Sequence, residues 1–150
     1  MAGLYFEEFS VGQTVKTVGR TISEDAIFSF AGLTGDYNQI HTDADFASKT
    51  QFGQRIAHGL LGLSVATGLI MRTGLLEGTV LAFREIVDWK FVKPFFIGDT
   101  VHVVLTVAET KALPRIGGGS MIASVEVRNQ TDEICQRGTL NLLVLSKPKE

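Results

Sequence analysis

The chain has 150 residues, of which 45% are hydrophobic and 20% charged, a mix typical of one globular domain over residues 1–150. Fourteen basic residues stand against sixteen acidic ones, so the net charge is -2, and no basic block is present. Nucleic acid is therefore not expected as a main partner, since it requires a clustered cationic surface.

The cysteine content and the apolar runs favour a cytoplasmic protein without a membrane partner. The single cysteine, Cys135, excludes a disulfide within the chain and a site of four thiolates. The acidic start, Met1–Glu8, lacks the positive segment of a secretory signal. The longest apolar run, Gly59–Met71, is shorter than the roughly 20 residues that cross a membrane.

Short elements around one helix are predicted for the first third of the chain. Residues Thr14–Thr21 alternate apolar and polar side chains, which is typical of an edge strand. Ser23 is expected to cap a helix that ends at Thr34-Gly35, because acidic residues follow the cap and glycine suits the terminus. Asp36–His41 is then predicted to be a loop, and Asp43–Ser48 a second short helix.

A helix without a polar face is predicted over residues 59–73, and such a helix must be enclosed by other structure. Beyond it the period becomes that of strands in four segments: Thr79–Phe91, Thr100–Thr110, Ser120–Asn129 and Glu133–Leu145. Because no crossover helices separate these segments, they predict an antiparallel sheet curled around the central helix, an α+β fold. Such a sheet leaves an edge strand open, and pairing of two copies there predicts a homodimer or an oligomer built from dimers.

A carboxylate and an imidazole, Asp36 and His41, lie close in the chain, and His58-Gly59 follows at the start of the apolar helix. Side by side, such a pair can hold a water molecule and move protons in opposite directions at neutral pH. The N–H of a glycine at a helix start can receive a developing oxyanion. Together these groups are suited to adding water to an activated double bond.

Three segments carry a resemblance to a known family. They are Phe30–His41 (FAGLTGDYNQIH, followed by Asp43 and Phe46-Ala47), Ile56–Leu60 (IAHGL) and Lys93–Thr100 (KPFFIGDT). They resemble the MaoC-like, (R)-specific enoyl-CoA hydratases, and the similarity extends roughly from Phe6 to Val144. Gln39 stands where the family commonly has proline, which affects the stiffness of the loop more than its chemistry. The resemblance implies the hotdog fold, in agreement with the element order.

The resemblance implies a lyase that reversibly hydrates a trans-2-enoyl-CoA in syn fashion to an (R)-3-hydroxyacyl-CoA. Asp36 and His41 would form the catalytic pair, with neither assigned as the acid or the base. Gly59 would offer its backbone N–H to the thioester oxygen. Thr67 would contribute a hydroxyl to the same pocket, although a threonine in a helix usually bonds its own backbone.

Two further polar residues are candidates for supporting roles or for substrate binding. Asn38 is expected to shape the loop through a bond to nearby backbone, with substrate contact as the alternative. His58 is expected to support the helix start or the core rather than to carry a third proton. The acyl tail would occupy an apolar tunnel beside the central helix, with Phe30, Phe46 and Leu63 in its walls.

No cofactor is implied, because coenzyme A enters as part of the substrate, and acyl carrier protein is an alternative carrier. Asp36, His41, Asp43 and Asp45 offer ligand atoms, but their spacing matches no HExxH, EF-hand or zinc pattern, so no metal is expected. Two other functions stay open. One is a thioesterase of the same fold, and the other is a module that binds acyl thioesters without turnover.

Overall fold

A computed structural model describes residues 3–149, so Met1 and Ala2 of the acidic start lie outside the described residues, as does Glu150. The helices are α1 (Glu24–Thr34), α2 (Gln39–Thr42), α3 (Ala44–Ser48) and α4 (Gly59–Met71). The strands are β1 (Thr14–Lys16), β2 (Arg20–Thr21), β3 (Val80–Phe91), β4 (Thr100–Leu113), β5 (Gly118–Arg128) and β6 (Ile134–Leu145). Short 3-10 turns occupy Phe6–Glu8 and Pro114–Ile116.

One antiparallel sheet carries the fold, with strand order β1-β4-β5-β6-β3 and with β2 paired to β4. Along β4, β5 and β6 the buried side chains alternate with less buried ones, so one face of the sheet is apolar. That face packs on α4, whose buried residues include Leu61, Val65, Leu69 and Ile70. The predicted α+β hotdog arrangement, a sheet around the apolar helix, is therefore confirmed.

Burial of the sheet and of α4 in a common core holds this arrangement together. The core residues from the sheet include Val101, Val103, Leu105, Val125, Val127, Leu140 and Leu142, each at most 4% exposed. Full burial of a valine or leucine side chain stabilises the folded state by roughly 1.5–3 kcal/mol. The first turn of α4 is thereby fixed against the sheet, and the functional groups described below lie near it.

Two elements differ from the sequence prediction. The segment Thr14–Thr21 forms two short strands, because the buried Thr17 accepts the N–H of Val103 through its hydroxyl and interrupts the ladder. The helix α4 is not enclosed on every side. One of its faces is exposed and consists of residues spaced three or four apart: Leu60, Ser64, Gly68 and Met71. In residues 3–149, none of the helices is both long enough and apolar enough to cross a membrane.

The strand β3 lies at one end of the sheet and pairs only with β6 among the described strands. Its other edge therefore offers unpaired backbone groups, the situation that invites pairing with another chain. Large apolar side chains on β3 are also exposed: Val80, Leu81, Phe83, Ile86, Val87 and Phe91. We call this strand, with those side chains, the β3 edge.

Candidate active site

The loop that carries Asp36 is set by the end of α1. Gly35 adopts the left-handed conformation at φ +79°, where glycine is favoured, and its N–H donates to the Ala31 carbonyl. The N–H of Asp36 then donates to Thr34 Oγ1, and Asp36 Oδ1 accepts the N–H of Asn38 at 3.2 Å. One carboxylate oxygen thus shapes the turn, and the other, Oδ2, is left for other contacts.

The predicted loop Asp36–His41 is corrected in its second half, because residues Gln39–Thr42 form the short helix α2. Asn38 is the N-cap, and its Oδ1 accepts the N–H of Ile40 at 3.0 Å. Asn38 therefore makes the local backbone bond that its sequence suggested. This helix places His41 on the inner side of the segment, where only 9% of its surface is exposed.

His41 is held in one tautomer by a backbone carbonyl. Its Nδ1 lies 2.7 Å from the oxygen of Ile56, and because a carbonyl only accepts, Nδ1 carries the hydrogen. The neutral ring then has its lone pair on Nε2, which lies 4.0 Å from Asp36 Oδ2. The carboxylate and the imidazole of the predicted pair are thus brought together, at a separation too long for a direct hydrogen bond.

His58 joins the pair from the residue before α4. Its ring stacks on that of His41, with centroids 3.9 Å apart, and its Nε2–H donates to the backbone carbonyl of Asp36 at 2.8 Å. Phe30 packs on the same ring at 4.9 Å. His58 is 3% exposed, so it acts as a buried support that contacts both members of the pair.

Burial keeps His41 neutral at neutral pH. Removal from water lowers the pKa of His41, and the nearby ring of His58 adds to this effect. The carbonyl of Ile56 and the carboxylate of Asp36 oppose the shift only in part. Since an unperturbed histidine titrates near 6.5, the lone pair on Nε2 is available at neutral pH.

Ligand atoms of Asp36, His41 and His58 lie within 4.8 Å of one another, which raises the question of a metal. The lone pairs of an imidazole lie in its ring plane, so two stacked rings direct them side by side rather than toward one ion. These residues fit a proton-transfer site better than a metal site.

The N-terminus of α4 lies beside this cluster, with Gly59 as its first residue. Within residues 3–149, no acceptor bonds the N–H of Gly59, as is usual for the first residues of a helix. A side chain at Gly59 would meet the Phe91 ring at 2.8 Å, so a glycine is required for this close approach. The Gly59 carbonyl accepts a hydrogen bond from Gln136 Nε2 at 3.0 Å.

A cavity of about 550 Å³ opens next to Gly59. Its mainly apolar lining includes Phe52, Ile56, Leu60, Phe91, Phe95 and Gln136. Gly59 also lines the cavity, and so does Ile56, whose carbonyl holds His41, whereas Asp36 and His41 do not. The cavity therefore adjoins the pair without including it.

The residues expected in the walls of an acyl tunnel do not line this cavity. Phe30 packs on His58, Leu63 belongs to the core, and Phe46 lies on the exposed side of α3. Thr67 is also not brought to the pair: its hydroxyl donates to the Ser64 carbonyl, and it lies eight residues along α4 from Gly59, roughly 12 Å away.

Two residues near the site, Gln136 and Trp89, were not predicted from the sequence. Gln136 is buried and joins the Trp89 indole to the Gly59 carbonyl. The sequence signal that could have identified Gln136 is a glutamine within the largely apolar segment that forms β6. A buried amide in such a strand needs polar partners, and here one partner is the start of α4.

Known proteins are similar to this chain in sequence and in fold. The model of the family described as "MaoC like domain" matches residues 7–132. The (R)-specific enoyl-CoA hydratase of Rhodospirillum rubrum is 37% identical over 103 residues, which cover 69% of each chain. Protein MaoC of Klebsiella aerogenes is 37% identical over 68% of this chain, but the chain spans only 30% of that relative. A solved structure described as a monoamine oxidase regulatory protein from Archaeoglobus fulgius is 35% identical with a TM-score of 0.91, covering 99% of this chain and 98% of that one.

Proposed function

The chain belongs to the MaoC-like dehydratase family, and we propose that it reversibly hydrates a trans-2-enoyl-CoA to an (R)-3-hydroxyacyl-CoA. The observation that carries the proposal is the arrangement of Asp36 and His41. Their free Oδ2 and Nε2 atoms lie 4.0 Å apart, a separation that one water molecule hydrogen-bonded to both can bridge. His58 and the Ile56 carbonyl hold the pair in that arrangement.

The proposed reaction begins with a water molecule bound between Asp36 Oδ2 and His41 Nε2. Its oxygen bonds to the β-carbon of the enoyl thioester while one of its O–H bonds breaks, and the proton passes to Nε2. The electron pair of the double bond moves toward the thioester oxygen. The carboxylate of Asp36 stabilises the imidazolium until the pair returns that proton to the α-carbon. Because both additions come from the same side, the outcome is syn.

The enolate oxygen that forms in this reaction needs a donor that is already in place. The N–H of Gly59 suits this role, because it has no acceptor among the described residues and lies at the positive end of α4. The adjoining apolar cavity is then suited to the acyl group. The proposed reaction involves no redox step, so it requires no cofactor besides the coenzyme A of the substrate.

The test of the proposed function is incubation of the purified chain with crotonyl-CoA. We expect loss of the enoyl thioester absorbance without release of free thiol, and chiral chromatography should identify (R)-3-hydroxybutyryl-CoA as the product. In deuterated water the product should carry one deuterium at the α-carbon. Release of thiol would instead indicate a thioesterase, and tight binding without turnover across enoyl chain lengths would indicate a binding module. A parallel assay with crotonyl-acyl carrier protein identifies the preferred carrier.

We further propose that the β3 edge pairs with the same edge of a second copy, giving a homodimer. Two such edges satisfy each other's backbone groups and cover the exposed apolar side chains of β3. Sedimentation velocity at micromolar concentration should show a dimer, and Ile86→Lys should shift it toward monomer. The control is Val18→Lys, which alters an exposed residue between β1 and β2 at the other end of the sheet and should leave the dimer intact. A monomeric wild type would contradict the proposed dimer.

A further inference from the structure

Gln136 is a buried amide on β6, and 2% of its surface is exposed. Burying such a group is unfavourable unless it is hydrogen-bonded. Its Oε1 accepts from Trp89 Nε1 at 3.3 Å, and its Nε2 donates to the Gly59 carbonyl at 3.0 Å. An indole N–H only donates and a carbonyl only accepts, so these two partners allow one orientation of the amide.

The bond to Gly59 restrains the most adaptable point of the site. Glycine has the widest choice of backbone conformations, and Gly59 has no side chain that packing could hold. Its N–H and its carbonyl flank the same Cα, so a backbone rotation at Gly59 redirects both groups. A bond that holds the carbonyl therefore also restrains the direction of the N–H.

Neighbouring residues are arranged around this bond. A Cβ at Gly62 would collide with Gln136 Nε2 and lie 3.0 Å from the Phe95 ring, so the glycine leaves room for these two side chains. Phe91 and Gln136 are directly paired across β3 and β6. The Phe91 ring lies against Gly59 while Gln136 bonds its carbonyl, so the glycine is held by two paired residues of the sheet.

We infer that Gln136 is a positioning residue, which aims the N–H of Gly59 at the thioester oxygen through its bond to the Gly59 carbonyl. Trp89 keeps the Gln136 amide in the required orientation. The inference rests on the proposed hydration of an enoyl thioester and adds to it a chain of contacts from β3 through β6 to α4. Gln136 acts on the reaction through Gly59.

The first test is Gln136→Leu, which has a similar size but no donor for Gly59. Displacing the oxyanion donor by a fraction of an ångström should lower kcat for crotonyl-CoA by about 10- to 100-fold, with KM changed less than about threefold. Circular dichroism and sedimentation should show a folded chain in the same oligomeric state as the wild type. Trp89→Phe removes the indole donor and keeps an aromatic ring, so it should lower kcat in the same direction by a smaller factor.

The second test is Gln136→Glu, which separates positioning from packing. An ionised carboxylate still accepts from Trp89 but cannot donate to the Gly59 carbonyl, whereas a protonated carboxyl can do both. The kcat of Gln136→Glu, divided by the wild-type value at the same pH, should therefore rise as the pH falls. The corresponding ratio for Gln136→Leu should stay constant. A ratio for Gln136→Glu that does not change with pH would overturn the inference.

A third measurement does not depend on activity. In protein labelled with nitrogen-15, the amide resonance of Gly59 should shift between the wild type and Gln136→Leu, and an unchanged resonance overturns the inference. A folded Gln136→Leu with kcat within twofold of an active wild type overturns it as well, while the proposed function stands. A wild type that hydrates no enoyl thioester contradicts the proposed function itself, and the Gly59 resonance still decides whether Gln136 positions that amide.

Discussion

Asp36→Asn and His41→Asn are each expected to lower kcat for enoyl-CoA hydration by roughly 10²–10⁴, the range found for loss of a general acid or base. Both replacements preserve the local structure. In Asp36→Asn, the new side chain keeps an Oδ1 that accepts the N–H of Asn38. In His41→Asn, the side-chain amide can donate to the Ile56 carbonyl, as Nδ1 of His41 does. Each variant therefore removes the functional group of one member of the pair and keeps the loop.

Two comparisons sharpen this prediction. The double variant should be little slower than the slower single variant, because Asp36 and His41 act on one water molecule as a unit. Asp45→Asn is the matched control, since its carboxylate is exposed and, within residues 3–149, pairs only with Lys49 one helical turn away. Steady-state kinetics with crotonyl-CoA would make these measurements. Turnover close to that of the wild type in either single variant would remove that residue from the mechanism.

The pH profile of hydration follows from the same pair. Burial lowers the pKa of His41, so protonation removes the Nε2 lone pair only below the ordinary histidine value of roughly 6.5. The acidic limb of kcat/KM should lie below that value, and Asp36→Asn should move the limb lower still, because the carboxylate raises the pKa of His41.

The same lowered pKa of His41 makes stability depend on pH, because between the folded and unfolded pKa values the unfolded chain binds more protons at His41 than the folded chain does. The free energy of unfolding should therefore rise with pH through that window.

The scaffold followed from local patterns in the sequence. Alternating burial in the strand segments, the cap at Ser23 and the glycine at position 35 are properties of neighbouring residues, and each was predictable. The short helix that carries His41 was not, because four residues are too few to display a helical period. The exposed face of α4 was also missed, since small and apolar residues on a helix do not by themselves indicate which face is exposed.

The candidate site was predictable in its members and not in its supporting contacts. Asp36 and His41 are close in sequence and were paired by their chemistry. The bond from His58 to the Asp36 carbonyl joins residues 22 positions apart, and the bond from Gln136 to Gly59 joins residues 77 positions apart. Such contacts depend on how the sheet wraps α4. The hydrogen-bond partner of a glutamine in a strand cannot be predicted from the position of the glutamine alone.

The sequence did not predict where a cavity opens along α4. The resemblance placed Thr67 in the same pocket as Gly59, and Leu63 was expected in the wall of an acyl tunnel beside α4. The cavity next to Gly59 lies at the helix terminus, where Gly59 and Leu60 line it, whereas Leu63 is buried and does not line it. Helical periodicity predicts which residues share a face, but the position of a pocket along that face depends on the strands that pack there.

Gly59→Ala is expected to abolish most of the activity and to leave the fold intact. The added methyl group would lie 2.8 Å from Cδ1 and Cε1 of Phe91, which are side-chain atoms that can move without a shift of the backbone. The methyl group and the displaced ring would then crowd the point where the thioester oxygen meets the Gly59 N–H. Loss of one oxyanion donor lowers kcat by roughly 10²–10³, and we expect a decrease in that range for crotonyl-CoA.

Gly68→Ala is the matched control on the same helix. Among the residues that the structure describes, none places an atom within 4 Å of a Cβ at Gly68, and Gly68 is exposed, so the substitution fills open space. Alanine is favoured over glycine in a helix by about 0.8–1 kcal/mol, and the free energy of unfolding should rise by up to about that amount without a change in kcat. Chemical denaturation and crotonyl-CoA kinetics on both variants separate the effects. If Gly59→Ala kept its turnover as Gly68→Ala does, the thioester oxygen would not approach the start of α4, and its donor would have to lie elsewhere on the cavity wall.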